Sequence, residues 1–128
     1  MKKKVIAIFE DDPVNRFIYQ RTLSRRDDVE VHLFDNADIG IAQAKEIRFE
    51  IVFIEMHFWA SFGGISILSK LKPVTDQSTI FVAMTAFLQE GDLEHAFASG
   101  FNMCIEKPVI FSEMDFSAIK EKSNLFLK

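Results

Sequence analysis

Five short apolar runs punctuate the chain: "VIAIF" (Val5 to Phe9), "VEVHLF" (Val29 to Phe34), "IVFI" (Ile51 to Ile54), "IFVAM" (Ile80 to Met84) and "FNMCI" (Phe101 to Ile105). The first, third and fourth are continuous rather than alternating, the pattern of strands covered on both faces of a parallel sheet. "VEVHLF" alternates in its first half and is expected at a sheet edge. Between the runs, apolar positions recur at helical spacing. Asp12 before Pro13 predicts an N-cap followed by a proline in the first helical turn. The segment "PVNRFIYQRTLSR" is then expected to place Phe17, Ile18 and Leu23 near one side. Asn36 opens a second helix that lines up Ala37, Ile41 and Ala44. "GGISILSKLK" lines up Ile65, Leu68 and Leu71 and stops before Pro73. "QEGDLEHAFASG" puts Leu93, Ala96 and Phe97 on one face, with Gly100 as its stop. A last helix is expected from about Ser112, with Phe116 and Ile119 facing inward.

Strict alternation of strand and helix predicts an α/β fold, a doubly wound five-stranded parallel sheet. Its 128 residues suit one domain with a single core, so residues 1–128 are read as one unit. Hydrophobic residues make up 48% and charged residues 27%, which is ordinary globular composition and excludes a disordered chain. A net charge of -4, with Lys2 to Lys4 as the one basic run, argues against nucleic acid as a partner. The single cysteine, Cys104, excludes an intrachain disulfide and a multi-cysteine zinc site. No apolar run approaches a membrane span and no signal-peptide pattern precedes the first strand, so a cytoplasmic location is expected.

In a doubly wound sheet, ligands sit outside the carboxyl ends of the strands. The residues that end each run are therefore the candidates for chemistry. The first run ends in Glu10, Asp11 and Asp12, the third in Glu55, the fourth in Thr85, and the fifth leads to Lys107 and Pro108. Carboxylates converging from two strands repel one another and are costly to bury unless a cation joins them. A hard divalent ion such as Mg²⁺ suits that cluster. Lys107 adds a permanent positive charge and Thr85 a hydroxyl donor. Together these groups describe a site for handling a phosphoryl group.

The same residues carry a resemblance. "IFEDDPVNR" (Ile8 to Arg16), "MTA" (Met84 to Ala86), "EKP" (Glu106 to Pro108) and the glycines Gly63 and Gly64 stand in order at the ends of successive runs. In this the chain resembles a response-regulator receiver domain of the two-component signalling family over nearly all its length. The resemblance implies the (βα)5 flavodoxin-like receiver fold and a signalling module without enzymatic turnover. Its protein partners would be a histidine kinase-like protein, another receiver or an output domain, with a homodimer compatible. It implies weakly held Mg²⁺ on Glu10, Asp11, Glu55 and the backbone carbonyl of His57. Phosphate would be handled by residue 55, Thr85 and Lys107.

Two departures stand out. Where the family carries the aspartate that receives phosphate, this chain has Glu55, at the end of "FEIVFIE". A glutamate carboxylate reaches roughly 1.5 Å farther, about one C–C bond. Misplacement by about 1 Å costs on the order of 100-fold in such chemistry. The expectation is a receiver independent of phosphorylation, in which Glu55 partly imitates a phosphoryl group at Lys107. The bland reading is a plain structural salt bridge between Glu55 and Lys107. The second departure is Cys104, three residues before the lysine, where the family has the aromatic that couples the threonine to the surface. A small strand-filling role fits Cys104 better than a redox sensor. The loop "MHFWASFGG" leaves Phe58, Trp59 and Phe62 as either a cover for the sheet or an exposed patch for a partner. A competing class is a small Mg²⁺-dependent phosphatase or phosphotransferase with Asp11 or Asp12 as nucleophile. Its weakness is the absence of an inserted cap to enclose a substrate.

Overall fold

The computed structural model describes residues 2–59, 63–86, 90–119 and 125–127, with Glu90 and the last three described by their backbone alone. Strands β1 (Lys4–Phe9), β2 (Val29–Phe34), β3 (Ile51–Glu55), β4 (Ile80–Thr85) and β5 (Met103–Glu106) alternate with helices α1 (Pro13–Leu23), α2 (Ala37–Ala44), α3 (Gly63–Leu71) and α4 (Glu90–Ser99). A further short strand, β6 (Leu125–Leu127), follows. All pair in parallel, in the order β2-β1-β3-β4-β5-β6. The five expected strands and four of the expected helices are present, and β2 lies at an edge as its alternation predicts. Among the described residues no helix is long and apolar enough to cross a membrane.

Successive strand residues point to opposite faces, so each inner strand feeds two cores at once. One face combines Phe9, Val52, Ile54, Phe81 and Cys104 with Ala44 of α2, Ile67, Leu68 and Leu71 of α3, and Ala96 of α4. The other combines Ile8, Phe53, Val82 and Ile105 with Tyr19 and Leu23 of α1 and with Phe111, Phe116 and Ile119 of the C-terminal segment. Phe111 is the hinge of that second face, edge-on to Tyr19 at 4.8 Å and to Phe53 at 5.1 Å. Such aromatic geometry adds roughly 0.5–1.5 kcal/mol per pair beyond burial.

The helix ends follow their local chemistry. Asp12 caps α1 by accepting from the Val14 N–H, and Asn36 caps α2 by accepting from the Ile39 N–H. Gly100 follows α4 at φ +112°, a conformation that side chains resist.

Two expectations are corrected. On α1, Phe17 and Ile18 are 63% and 49% exposed, and the inward face is Tyr19 with Leu23, one turn apart. The pattern "RFIY" offered three adjacent large side chains, and the fit of Tyr19 against Phe111 decides which of them turns in. The second correction is the last helix. Among the described residues the segment holds only a 3₁₀ turn, Phe116–Ala118. Arg26 explains this: it donates to the carbonyls of Phe111 and Met114, the acceptors that a helix over that segment would need. Asp115 completes the diversion by accepting from both the backbone and the hydroxyl of Ser117. Phe116 and Ile119 face inward nonetheless.

Candidate functional site

The sheet order reverses at β1, which lies between β2 and β3. Glu10 leaves β1 at that point and Glu55 ends β3 beside it, so the two acids meet at the topological switch point. Glu10 is completely buried and Glu55 is 6% exposed. Between them lies Lys107, delivered by β5 and held in place by its own N–H donating to the Thr85 carbonyl at 2.7 Å. The Lys107 Nζ donates to Glu10 Oε1 at 2.9 Å and to Glu55 Oε2 at 3.0 Å. The remaining carboxylate oxygens have donors as well. Glu10 Oε2 accepts from the Asp12 N–H at 3.2 Å, and Glu55 Oε1 from the His57 N–H at 3.4 Å.

Burial dominates the electrostatics of Glu10 and raises its pKa above the ordinary value, with Lys107 pulling the other way. For Lys107, burial works against the ammonium. The hydrogen bonds and charges of Glu10 and Glu55 outweigh it and hold its pKa above the ordinary lysine range. Tyr19 lies within reach of the same charges. Burial first, then the two glutamates, push its phenol up to about 12, so it stays neutral. Sequence reasoning missed Tyr19 because its helix face was assigned to Phe17 and Ile18.

Asp11 and Asp12 do not join the lysine. The Asp11 Oδ2 accepts from the Trp59 N–H at 2.8 Å, tying the loop after β3 to the end of β1. Asp12 is spent on capping α1 and also accepts from the Asn15 amide at 3.4 Å. Arg16 clamps this corner by donating to the carbonyls of Glu10 and Asp11 at 3.1 and 2.7 Å. Thr85 is buried at the end of β4, and its neighbour Met84 is in register with Glu55. His57 is exposed. Cys104 is 1% exposed on the face shared with α2, α3 and α4, and burial with the nearby charge of Asp92 pushes its thiol up to about 11. That suits a strand-filling residue.

The expected cation site was Glu10, Asp11, Glu55 and the His57 carbonyl. Among the described residues no group of three His, Cys, Asp or Glu side chains is placed to hold a metal ion. The donors explain why: Lys107 occupies the space between Glu10 and Glu55, and Trp59 engages Asp11. In this arrangement the residues do not fit Mg²⁺.

The loop after β3 divides its aromatics. Phe58 is buried against Phe9, with ring centroids 6.5 Å apart, whereas Trp59 is 71% exposed. Phe62 lies outside the described residues. So Phe58 covers the sheet, and Trp59, one residue on, is exposed.

A doubly wound parallel sheet with paired acids and a lysine at its switch point is the arrangement of a signalling receiver. Residues 6–118 match the response regulator receiver domain family, and the chain belongs to it. It is a receiver domain of two-component phosphorelay signalling. It is 26% identical over 112 residues to the sensor histidine kinase AruS of Pseudomonas aeruginosa, covering 85% of this chain and 11% of that protein. Among solved structures, it resembles a chain of the co-crystal structure of the Saccharomyces cerevisiae histidine phosphotransfer protein Ypd1 with the Ssk1 receiver domain. The TM-score is 0.71 and identity 22%, over 92% of this chain and 84% of that one. It also resembles the receiver domain of the Pseudomonas aeruginosa sensor histidine kinase PA1611, which was crystallised with magnesium in its active site cleft. There the TM-score is 0.69 and identity 21%, over 84% of this chain and 87% of that one.

Proposed function

We propose that this receiver acts without phosphate on β3, with Glu55 in the place of the family's phosphoacceptor aspartate. The observation that carries the reading is the Lys107 ammonium shared between Glu10 Oε1 and Glu55 Oε2 at 2.9 and 3.0 Å. In the phosphorylation reaction that lysine would stabilise the incoming phosphoryl oxygens. Here Glu55 already occupies it. The longer side chain places a negative charge on Lys107 permanently, though with fewer acceptor oxygens than an acyl phosphate. The module then holds one state and works by binding other proteins: a histidine kinase-like protein, another receiver, or an output domain. Because the chain spans about a tenth of the length of AruS, the activity of any larger protein around it belongs to the same proposal.

Metal dependence follows from the same contacts. Mg²⁺ would have to displace Lys107 from the glutamates or Trp59 from Asp11, so binding is weak at most. The phosphatase reading loses support because Asp12 caps α1 and Asp11 holds Trp59. The test is phosphoryl uptake from acetyl phosphate with Mg²⁺, followed by intact mass, on the natural chain and Glu55→Asp. The natural chain is expected to remain unmodified and Glu55→Asp to gain a phosphoryl group. A phosphoryl group mapped to Glu55 in the natural chain overturns the proposal.

A further inference from the structure

The non-helical C-terminal segment borders a cavity that the glutamate–lysine cluster does not use. The cavity measures about 490 Å³, within the range of small-molecule sites, and lies between β5 and residues 108–119. Met103 and Ile105, alternate residues of β5, share its walls with Val109, Ile110, Met114 and Ile119. All but Ile110 and Met114 of these six are buried, and Ile110 is exposed. The walls are held from outside. Arg26 donates to the carbonyls of Phe111 and Met114, and its guanidinium lies over the Phe116 ring at 4.6 Å. Phe111 and Phe116 in turn meet Phe53 edge-on at 5.1 and 6.2 Å. The cavity is therefore formed before any ligand arrives, by contacts that fix both ends of the segment.

Its polar groups say which ligand it suits. The backbone carbonyls of Ile110, Asp115 and Phe116 already accept from the N–H groups of Glu113, Ala118 and Ile119. Those of Phe111 and Met114 accept from Arg26. The Asp115 carboxylate accepts from the backbone and hydroxyl of Ser117. Among the described lining residues there is no Lys, Arg or His, and the charged ones are the acids Glu106, Glu113 and Asp115. The Glu106 and Glu113 carboxylates have no partner among the described residues. Apolar walls thus stand beside two uncommitted anions.

We infer that this cavity is a binding site for a small organic cation with a flat apolar body. The body lies between β5 and the C-terminal segment, against Ile105, Val109 and Ile119. Its amidinium or guanidinium head pairs with Glu113 and Glu106, where two parallel N–H donors match one carboxylate. Charge complementarity selects this occupant. A carboxylate on the same body meets like charge, and a neutral amide of the same shape forgoes the charge-assisted bonds.

The probe is 4-phenylbenzamidinium, with 4-phenylbenzamide and 4-phenylbenzoate as neutral and anionic bodies of the same shape. Each is titrated into the full chain by calorimetry, and contacts are mapped by nuclear Overhauser effects from the rings to protein methyl groups. The cation is expected to bind saturably with a Kd below about 1 mM. Its ring protons are expected to contact the methyl groups of Ile105, Val109, Met114 and Ile119. The neutral amide is expected to bind roughly fivefold more weakly, and the carboxylate more weakly still. Glu106→Gln with Glu113→Gln is expected to weaken the cation by roughly fivefold and leave the amide unchanged, with circular dichroism verifying the fold. No saturable binding of the cation, equal binding of the amide, undiminished binding by the double variant, or methyl contacts centred elsewhere would each overturn the inference. Failure here leaves the reading of Glu55 untouched, because Glu55→Asp is expected to bind the cation as the natural chain does.

Discussion

Lys107→Met is the sharpest perturbation of the cluster. Methionine keeps most of the aliphatic stem and removes the cation alone. The Lys107 side chain is 12% exposed, and its two partners are 0% and 8% exposed, so water cannot replace the lost charge well. Removing one member of a buried ion pair costs about 3–5 kcal/mol, because an uncompensated charge stays behind. For a chain of this size, that corresponds to a fall in Tm of roughly 10–20 °C. The pH dependence gives the mechanism its signature. Burial already raises the Glu10 pKa in the folded state, and losing Lys107 removes the strongest influences that lower it, leaving the Asp12 N–H alone to oppose burial. A carboxyl raised on folding binds its proton more tightly when folded, so its penalty is full at neutral pH. That penalty fades as pH falls through the folded pKa towards the unfolded value of about 4.3. The stability gap between variant and natural chain is therefore expected to narrow from pH 7 to pH 5. In the natural chain Lys107 contributes up to alkaline pH and loses its contribution only as pH rises through its raised folded pKa. Urea unfolding followed by circular dichroism at both pH values measures the gap. A loss below about 1 kcal/mol at pH 7, or a gap that widens at pH 5, refutes the reasoning.

The remaining predictions concern the frame of the site. Gly64→Ala puts a Cβ 2.4 Å from the Glu55 carbonyl oxygen and 2.8 Å from the Met56 Cα, backbone that cannot swing aside. Urea unfolding is expected to show a loss of roughly 1–3 kcal/mol, the range for overpacking. The Cys104 thiol, buried and pushed up to about 11, is expected to resist a disulfide reagent at pH 8 until the protein unfolds. Reaction of the native chain at the rate of free cysteine contradicts this. Millimolar MgCl₂ is expected to leave Tm and Trp59 emission where NaCl of equal ionic strength leaves them. A Mg²⁺-specific change would show that Asp11 exchanges Trp59 for the ion.

Much of the architecture was legible because the buried strands are short and β-branched, and because caps and stops are local chemistry. Asp12, Asn36 and Gly100 declare their roles within a few residues. The inward face of α1 was not legible, since "RFIY" is apolar on adjacent positions and only the distant Phe111 selects Tyr19. Nor was the C-terminal departure from helix, which depends on Arg26, 85 residues away from the carbonyl it takes at Phe111. Such a contact has no period to betray it.

The candidate site divides in the same way. Glu10, Glu55, Thr85 and Lys107 stand at strand ends, and strand ends can be read from the pattern. Asp11 could be placed near them but not oriented. Its carboxylate turns to the Trp59 N–H, a contact set by the loop's left-handed turn rather than by the acid itself. The pairing of Glu55 with Lys107 was legible from their strand-end positions, but the second contact, from Lys107 to Glu10, was not, because spacing gives charges without saying which of them touch.

The shared ammonium is the claim on which the account depends, and the Lys107 Nζ resonance tests it most directly. With ¹⁵N-labelled lysine, the ammonium cross-peak assigned through Lys107→Arg is expected to exchange slowly and to persist above pH 10.4, where surface lysines have lost half their protons. In Glu55→Gln that persistence is expected to shrink, because Glu10 alone holds the proton. A Lys107 ammonium that exchanges and titrates with the surface lysines would contradict the bridge to Glu10 and Glu55.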